Sequence, residues 1–168
     1  MVRRAGARAG DVLAVSGTVG DGVLGLAAAR GEITDPDGYL AGRLRLPSPR
    51  LDLRQALRSD ATAAADVSDG LVADAGHIAE ASGVALTLEL DRLPLSPQAR
   101  AWLDGQPDRA AGLVRLATGG DDYEIVGTFP GPPPAGFTAI GNASAGSGVQ
   151  VMAAGRSLPI DQGGWRHL

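Results

Sequence analysis

The fold follows from residues 62–83, which read TAAADVSDGLVADAGHIAEASG. The first six of these residues are small or β-branched and predict a buried strand, which the acidic turn Asp66–Gly70 closes. From Gly70 the apolar residues recur at helical spacing, and Gly83 stands where such a helix is expected to end. A strand that turns directly into a helix is the building unit of an α/β domain.

Strands and helices alternate on both sides of this stretch. We expect further strands at 11–18, 84–90, 121–129, 137–141 and 149–153, and further helices at 21–30, 51–58, 96–103 and 108–117. Residues 31–49 are rich in Gly, Pro and Asp and predict an irregular crossing loop. The chain has no internal repeat or linker, and its 168 residues suffice for one α/β (α+β) domain, a sheet flanked by helices.

The composition excludes several kinds of chemistry. All 15 basic residues are arginine and there is no cysteine, so P-loop lysines, Schiff bases, thiol nucleophiles and thiolate metal sites are excluded. Of the 19 acidic residues, 15 are aspartate, a short oxygen ligand that suits Mg²⁺. We therefore expect the chemistry of this chain to depend on carboxylates.

The charge and hydropathy patterns disfavour two classes of partner. The net charge is −4 and no basic patch contains interleaved aromatic residues, which argues against nucleic acid. No apolar stretch approaches the roughly 20 residues that span a bilayer, and no signal-peptide core follows the N-terminal arginines. We expect no nucleic-acid partner, no membrane partner and a cytoplasmic location.

The first candidate site is the turn Asp66–Gly70, which reads DVSDG. Two carboxylates three residues apart repel each other unless a cation or a helix N-terminus compensates them. A Mg²⁺ ion bound to phosphate oxygens would compensate Asp66 and Asp69, and Ser68 and the first helical N–H groups would then bind phosphate. The alternative is structural: Ser68 or Asp69 is an ordinary N-cap, and Asp66 is an ordinary strand end.

The second candidate site is the segment 119–124, which reads GGDDYE. As the entry to a strand, its alternation places Asp122, Glu124 and Val126 on one face. A glutamate beside a valine on such a face needs a cationic partner, which is either a substrate or an arginine. The alternative is a helix that ends at glycine, followed by a solvated strand end.

Three further signals are weaker. Arg3, Arg4 and Arg8 form a cluster that could clamp a phosphate, although arginines near a chain end are more often solvated. Trp165 either packs against the core or stacks on a planar ligand. His77 is a lone helical histidine, which is typical of a structural or surface residue.

Several segments, in this order, resemble the C-terminal half of the bacterial thiamine-monophosphate kinase family, within the aminoimidazole-ribonucleotide-synthetase-like superfamily. The specific ones are DVSDGLVADAGHIAEASGV, TGGDDYEIV and the closing GGWRH; RAGARAGDVLAVSGTVGDGVLGLA, LPLSP and SGV accompany them. The resemblance runs from about Arg4 to His167. It implies the family's C-terminal α/β fold, with partial similarity to a ferredoxin-like arrangement.

The resemblance also implies a reaction, the transfer of the γ-phosphoryl group of ATP to thiamine monophosphate with Mg²⁺ bridging the phosphates. By their positions in the motifs, Asp66 and Asp69 would be Mg²⁺ ligands. Arg4 and Ser68 would contact ATP.

On the substrate side, the resemblance implies that Glu124 binds the thiamine part of thiamine monophosphate. It also implies that Trp165 packs against this part. The thiazolium ring of thiamine is cationic, so a carboxylate pairs with it and an aromatic face attracts it.

A full member of the family is roughly twice this length and carries an N-terminal ATP-binding domain with an Asp-Asp metal motif. We therefore expect residues 1–168 to be the C-terminal domain, with that N-terminal domain or a second copy as its partner. We expect this chain to be inactive alone, because only part of the Mg²⁺ ligand set is present. The alternatives are a non-catalytic module that binds a phosphometabolite or a partner, or another superfamily enzyme, such as a selenophosphate synthetase or the hydrogenase-maturation member.

Overall fold

A computed structural model of the chain describes residues 2–159. The described residues form seven strands and six α-helices. The strands are β1 (Val12–Ser16), β2 (Ala63–Asp66), β3 (Ala85–Glu89), β4 (Ile125–Phe129), β5 (Phe137–Ser144), β6 (Gly148–Ala153) and β7 (Arg156–Leu158). The helices are α1 (Asp21–Ala29), α2 (Tyr39–Arg45), α3 (Arg54–Asp60), α4 (Leu71–Ser82), α5 (Pro97–Asp104) and α6 (Arg109–Thr118). Two short 3-10 helices are Leu51–Leu53 and Leu90–Arg92.

The seven strands form one mixed sheet in the order β2-β4-β1-β5-β3-β6-β7. All neighbouring strands are antiparallel except β3 and β6, which are parallel. Edge strand β2 pairs with β4 in a register that places Asp66 opposite Ile125. The start of the DVSDG motif therefore lies beside the residue that follows the GGDDYE motif at this edge of the sheet.

The core is aliphatic, as the low aromatic content predicts. Helix α4 packs on β2, β3 and β6 and contributes Leu71, Ala75 and Ile78, all fully buried. Among residues 2–159, no helix combines the length and the apolar composition that a membrane crossing needs.

Local sequence signals place several helix ends correctly. Helix α4 ends before Gly83, whose φ of 67° is the left-handed conformation that glycine adopts readily. Helix α5 begins after Ser96, whose Oγ accepts a hydrogen bond of 3.0 Å from the N–H of Ala99. Both ends were predicted from the type of residue at the boundary.

The prediction that residues 31–49 form an irregular loop is wrong in its middle, where α2 lies. The Asp35 carboxylate accepts hydrogen bonds from the N–H groups of Leu40 and Ala41, which replaces a conventional cap. Leu40 is buried and packs in the core. Tertiary packing therefore stabilises a helix in a segment whose flanking Gly, Pro and Asp residues predict a loop.

The prediction of a strand over 121–129 is also wrong at its start, because β4 begins only at Ile125. Asp121 and Tyr123 have φ angles of 66° and 53°, which are incompatible with an extended strand. The alternation in burial nevertheless holds, since Asp122 and Glu124 are buried while Tyr123 is 43% exposed. Strand β7 was not predicted.

Candidate active site

The two acidic motifs form one structural unit through their backbones. The Val67 N–H donates to the Glu124 carbonyl at 2.8 Å, and the Tyr123 N–H donates to the Val67 carbonyl at 2.9 Å. The Asp121 N–H donates to the Ser68 carbonyl at 3.0 Å. These bonds continue the pairing of β2 with β4 beyond the strands and fix the two acidic motifs against each other.

Glycines allow this close approach. A Cβ atom at Gly120 would collide with the carbonyl oxygen of Ser68, and one at Gly70 would collide with the carbonyl oxygen of Thr118. Gly70 also has a φ of 119°, a conformation that residues with side chains rarely adopt. Each motif therefore needs its glycine in order to pack against the other.

The turn Asp66–Gly70, which we call the acidic turn, is open to solvent on the side of Asp66. The Asp66 side chain is 61% exposed, and its Oδ1 lies 3.7 Å from Nη2 of Arg4, whose side chain is 51% exposed. Ser68 and Asp69 are half-buried. The structure thus brings four of the predicted site residues, Arg4, Asp66, Ser68 and Asp69, to one place.

Asp74 holds the shape of the acidic turn, and we did not predict this role. It is fully buried in the first turn of α4, and its Oδ2 accepts hydrogen bonds from the N–H groups of Ser68 and Asp69 at 3.0 and 3.1 Å. Burial raises the pKa of the Asp74 carboxyl above its ordinary value, and the two N–H donors act in the opposite direction. The structural alternative for Ser68 and Asp69 is wrong, because the N-cap position of α4 is Gly70 and no side chain caps it.

Glu124 has no exposed surface, and its side-chain partners are two arginines and a serine. Its Oε2 accepts hydrogen bonds from Oγ of Ser16 at 2.6 Å and from Nε of Arg50 at 2.7 Å. Its Oε1 accepts hydrogen bonds from Nη2 of Arg43 at 3.0 Å and from Nη2 of Arg50. The sequence left two kinds of cationic partner open for Glu124, a substrate or an arginine. In the structure the partners are arginines.

Asp122, two residues before Glu124 in the chain, caps the N-terminus of α1. Its two carboxylate oxygens accept hydrogen bonds of 2.8 Å from the N–H groups of Gly20 and Gly22. Burial raises the pKa of the Asp122 carboxyl to about 7, while these two N–H groups lower it. The N-terminus of α1 thus favours the charged form of Asp122, but burial has the larger effect on its pKa.

Asp21, the first residue of α1, joins the same buried region to α2 and α5. Its Oδ1 accepts a hydrogen bond of 2.5 Å from Oγ of Ser96, and its Oδ2 accepts hydrogen bonds from Thr18 at 2.6 Å and Tyr39 at 3.2 Å. Nε of Arg43 lies 3.8 Å from the Asp21 carboxylate. Five charged residues of this region form what we call the acid–arginine network: Asp21, Asp122, Glu124, Arg43 and Arg50.

The predicted site residues thus fall into three groups. The residues predicted to bind metal or nucleotide lie together at the acidic turn, whereas Glu124 lies in the acid–arginine network and is not accessible to solvent. Trp165 lies outside the described residues. The residues missed by sequence reasoning are Asp21, Arg43, Arg50 and Asp74; the position of Asp74 four residues after Gly70, in the first turn of a helix, was a usable signal.

This fold and this pair of acidic motifs define a domain of the aminoimidazole-ribonucleotide-synthetase type. The sequence pattern of the family described as "AIR synthase related protein, C-terminal domain" matches residues 8–154, and the chain belongs to this family.

Individual relatives share a narrower description. The chain is 48% identical to the thiamine-monophosphate kinase of Caulobacter vibrioides over 99% of its own length and 50% of the relative's. It is 37% identical to the thiamine-monophosphate kinase of Salmonella typhimurium over 99% of its own length and 55% of the relative's. The chain therefore spans about half the length of the curated relatives it matches.

A solved structure agrees. The structure of AaThiL complexed with AMPPCP and TMP matches 99% of this chain and 54% of that one, with a TM-score of 0.85 and 34% sequence identity. The mixed sheet with its flanking helices is thus the C-terminal domain fold of that protein.

Proposed function

We propose that this chain supplies the C-terminal half of an enzyme that transfers the γ-phosphoryl group of ATP to thiamine monophosphate, giving thiamine diphosphate. The observation that carries the proposal is the backbone pairing of DVSDG with GGDDYE, which joins a solvent-open acidic turn to a buried charge network. Relatives named thiamine-monophosphate kinase, and a related structure that holds an ATP analogue with TMP, support it. We place the reaction in the cytoplasm, where ATP is available.

The donor set of the acidic turn fits Mg²⁺. Asp66 and Asp69 present hard carboxylate oxygens, the ligand type that Mg²⁺ prefers, and Asp66 is largely exposed. We assign these two residues as Mg²⁺ ligands. Bound Mg²⁺ would neutralise charge on the phosphates that take part in phosphoryl transfer.

Arg4 and Ser68 form the proposed nucleotide side of the site. The Arg4 guanidinium already lies beside Asp66, so it is in reach of phosphates held near that carboxylate. The Ser68 hydroxyl is half-buried on the same turn and would serve as a hydrogen-bond donor. Asp74 holds the Ser68 and Asp69 N–H groups, which keeps the turn in one shape before any ligand arrives.

Glu124 and Trp165 form the proposed substrate side. Glu124 now pairs with Arg43 and Arg50, and the half-buried Arg50 is the more exposed of the two arginines. For the thiazolium cation to reach Glu124, Arg50 must therefore release the carboxylate oxygens of Glu124. In this proposal the guanidinium occupies the cation position until the substrate takes it.

A mixing experiment tests the proposed function. The chain alone, supplied with ATP, Mg²⁺ and thiamine monophosphate, is expected to give no thiamine diphosphate above background, because half of the relatives' length is not supplied. Addition of the separately produced N-terminal half of the Caulobacter vibrioides kinase is expected to give turnover, read as thiamine diphosphate by chromatography.

The control variants make this experiment specific. Asp69→Asn removes a proposed Mg²⁺ ligand and is expected to lower the turnover of the mixture by about 100-fold or more. Asp60→Asn changes an exposed aspartate at the end of α3 and is expected to leave turnover unchanged. Equal activity of Asp69→Asn and Asp60→Asn would refute the metal assignment, and phosphate transfer to another acceptor only would favour a different superfamily enzyme.

A further inference from the structure

A second set of ligand atoms lies beside the acidic turn. Asp69, Asp74 and His77 each offer one metal-ligating atom, and these atoms lie within 4.8 Å of one another. Asp74 and His77 are three residues apart on α4 and therefore share one face of the helix, while Asp69 lies in the turn just before it. This set includes His77, to which we gave no functional role from the sequence.

Asp74, one member of this set, has a carboxylate oxygen without a hydrogen-bond partner among the described residues. Its Oδ2 accepts the two turn N–H groups, but its Oδ1 is buried and has no hydrogen-bond partner in the part of the chain that the structure describes. Asp74 itself has no exposed surface. A buried carboxylate oxygen without a partner is costly, so this oxygen calls for a donor or a cation.

The charge around this set is uncompensated by arginine. Within residues 2–159, the ion pair nearest in the chain is that of Arg4, which reaches Asp66 at 3.7 Å, and no ion pair involves Asp69 or Asp74. Two carboxylates and an imidazole this close together, with no arginine of the described residues paired to Asp69 or Asp74, are donors that suit a divalent cation.

We propose that Asp69, Asp74 and His77 bind a divalent first-row transition-metal ion such as Zn²⁺. The imidazole decides the class of metal, because nitrogen ligands suit Zn²⁺ and its neighbours, whereas Mg²⁺ prefers oxygen. The site differs from the proposed Mg²⁺ pair in using Asp74 and His77 and not Asp66, and it does not depend on the proposed function. The two sites share Asp69, so the two ions compete for it.

The exposed position of His77 lets the three ligand atoms draw together. Zinc bonds to carboxylate oxygen and imidazole nitrogen are about 2.0–2.2 Å long, so three ligand atoms within 4.8 Å of one another can reach one ion with small side-chain movements. An exposed side chain at the surface of α4 can make this movement without disturbing the core.

Calorimetric titration of the full chain with ZnCl₂ tests the site. Few other side chains compete for zinc, because the sequence has no cysteine and its histidines are His77 and His167 alone. We expect one zinc ion per chain and a loss of affinity of about 10-fold or more in His77→Ala. His167→Ala is the matched control and is expected to bind as the unaltered chain does.

Two further measurements separate this site from others. Asp66→Asn is expected to keep its zinc affinity, which a zinc ion bound at the proposed Mg²⁺ pair would lose. Imidazole resonances of His77 in the nuclear magnetic resonance spectrum are expected to shift on addition of Zn²⁺, while those of His167 stay in place. Unchanged zinc affinity in His77→Ala, or an unmoved His77 resonance, would overturn the proposal.

Discussion

The acid–arginine network and the acidic turn contain the same kind of side chain in opposite states. In the network, every carboxylate oxygen of Asp21, Asp122 and Glu124 accepts at least one hydrogen bond from the chain itself. In the acidic turn, Asp66 has one long, solvent-exposed ion pair. A carboxylate whose oxygens all have partners in the chain can bind a ligand only after one of those partners leaves, whereas one with open oxygens can bind a ligand directly.

Two motifs with similar acidic sequences therefore differ in how accessible their carboxylates are to a ligand. Both motifs show closely spaced acids next to glycine, but GGDDYE turns its Asp122 and Glu124 inward while DVSDG keeps Asp66 outside. The inward acids have partners from β1, α1, α2 and the segment after α2. Burial with partners, rather than the density of acids, decides whether a carboxylate can bind a ligand directly or must first lose a partner.

The largest loss in the free energy of unfolding is expected from Glu124→Gln, because this change leaves Arg43 and Arg50 beside a neutral group. Breaking a buried ion pair by removing one partner typically costs about 3–5 kcal/mol, and because Arg50 is half-buried we expect about 3 kcal/mol. Urea unfolding measures the loss. Glu32→Gln, at an exposed glutamate, is the control, and similar unfolding midpoints for the two variants would show that the network does not stabilise the fold.

An intermediate effect on the free energy of unfolding is expected from Asp122→Asn, and its size depends on pH. The carboxyl binds its proton more tightly in the folded chain, with a pKa of about 7, than at its ordinary value of 3.8. Its contribution to stability is therefore fullest below about pH 4 and is lost as the pH rises through 7.

Asp122→Asn removes this titration. Between pH 5 and 7 the unaltered chain should lose stability relative to Asp122→Asn by on the order of 2 kcal/mol, measured as the difference in unfolding free energy at each pH. A difference that is flat across this range would mean that Asp122 stays ionised throughout, and that the two N–H groups outweigh burial.

The smallest effect on stability is expected from Asp66→Asn in the acidic turn. An exposed residue with one long ion pair contributes little, so the unfolding free energy should change by no more than about 0.5 kcal/mol. Binding of Mg²⁺ and nucleotide should weaken in the same variant, measured in the mixture with the N-terminal half. A loss of stability as large as that of Glu124→Gln would erase the contrast between the two regions.

Local chemistry made the element order predictable. The strand at 63–66, helix α4 with its end at Gly83, and helix α5 with its cap at Ser96 all follow from residues next to each other in the chain. The same local signals placed the two acidic motifs at the ends of strands. Propensity, periodicity and capping act over a few residues, so a sequence displays them directly.

The parts that sequence reasoning missed depend on distant residues. Helix α2 forms in a segment of loop-like composition because Leu40 packs in the core and Arg43 reaches Glu124. Residues 121–124 leave the strand conformation because Asp122 caps a helix far away in the sequence. Neither partner can be identified from the local pattern, although the need of Glu124 for a cation could be.

The backbone bonds between Val67 or Ser68 and residues 121–124 also set the order in which the site can assemble. Helices α4, α5 and α6 and strand β3 lie between the two motifs in the chain. Contacts between residues so distant in sequence form only after a large loop has closed, which is slow compared with helix formation. The acidic turn therefore takes this shape only once β2 and β4 have paired, so metal or nucleotide bound at the turn would report that this part of the sheet has formed.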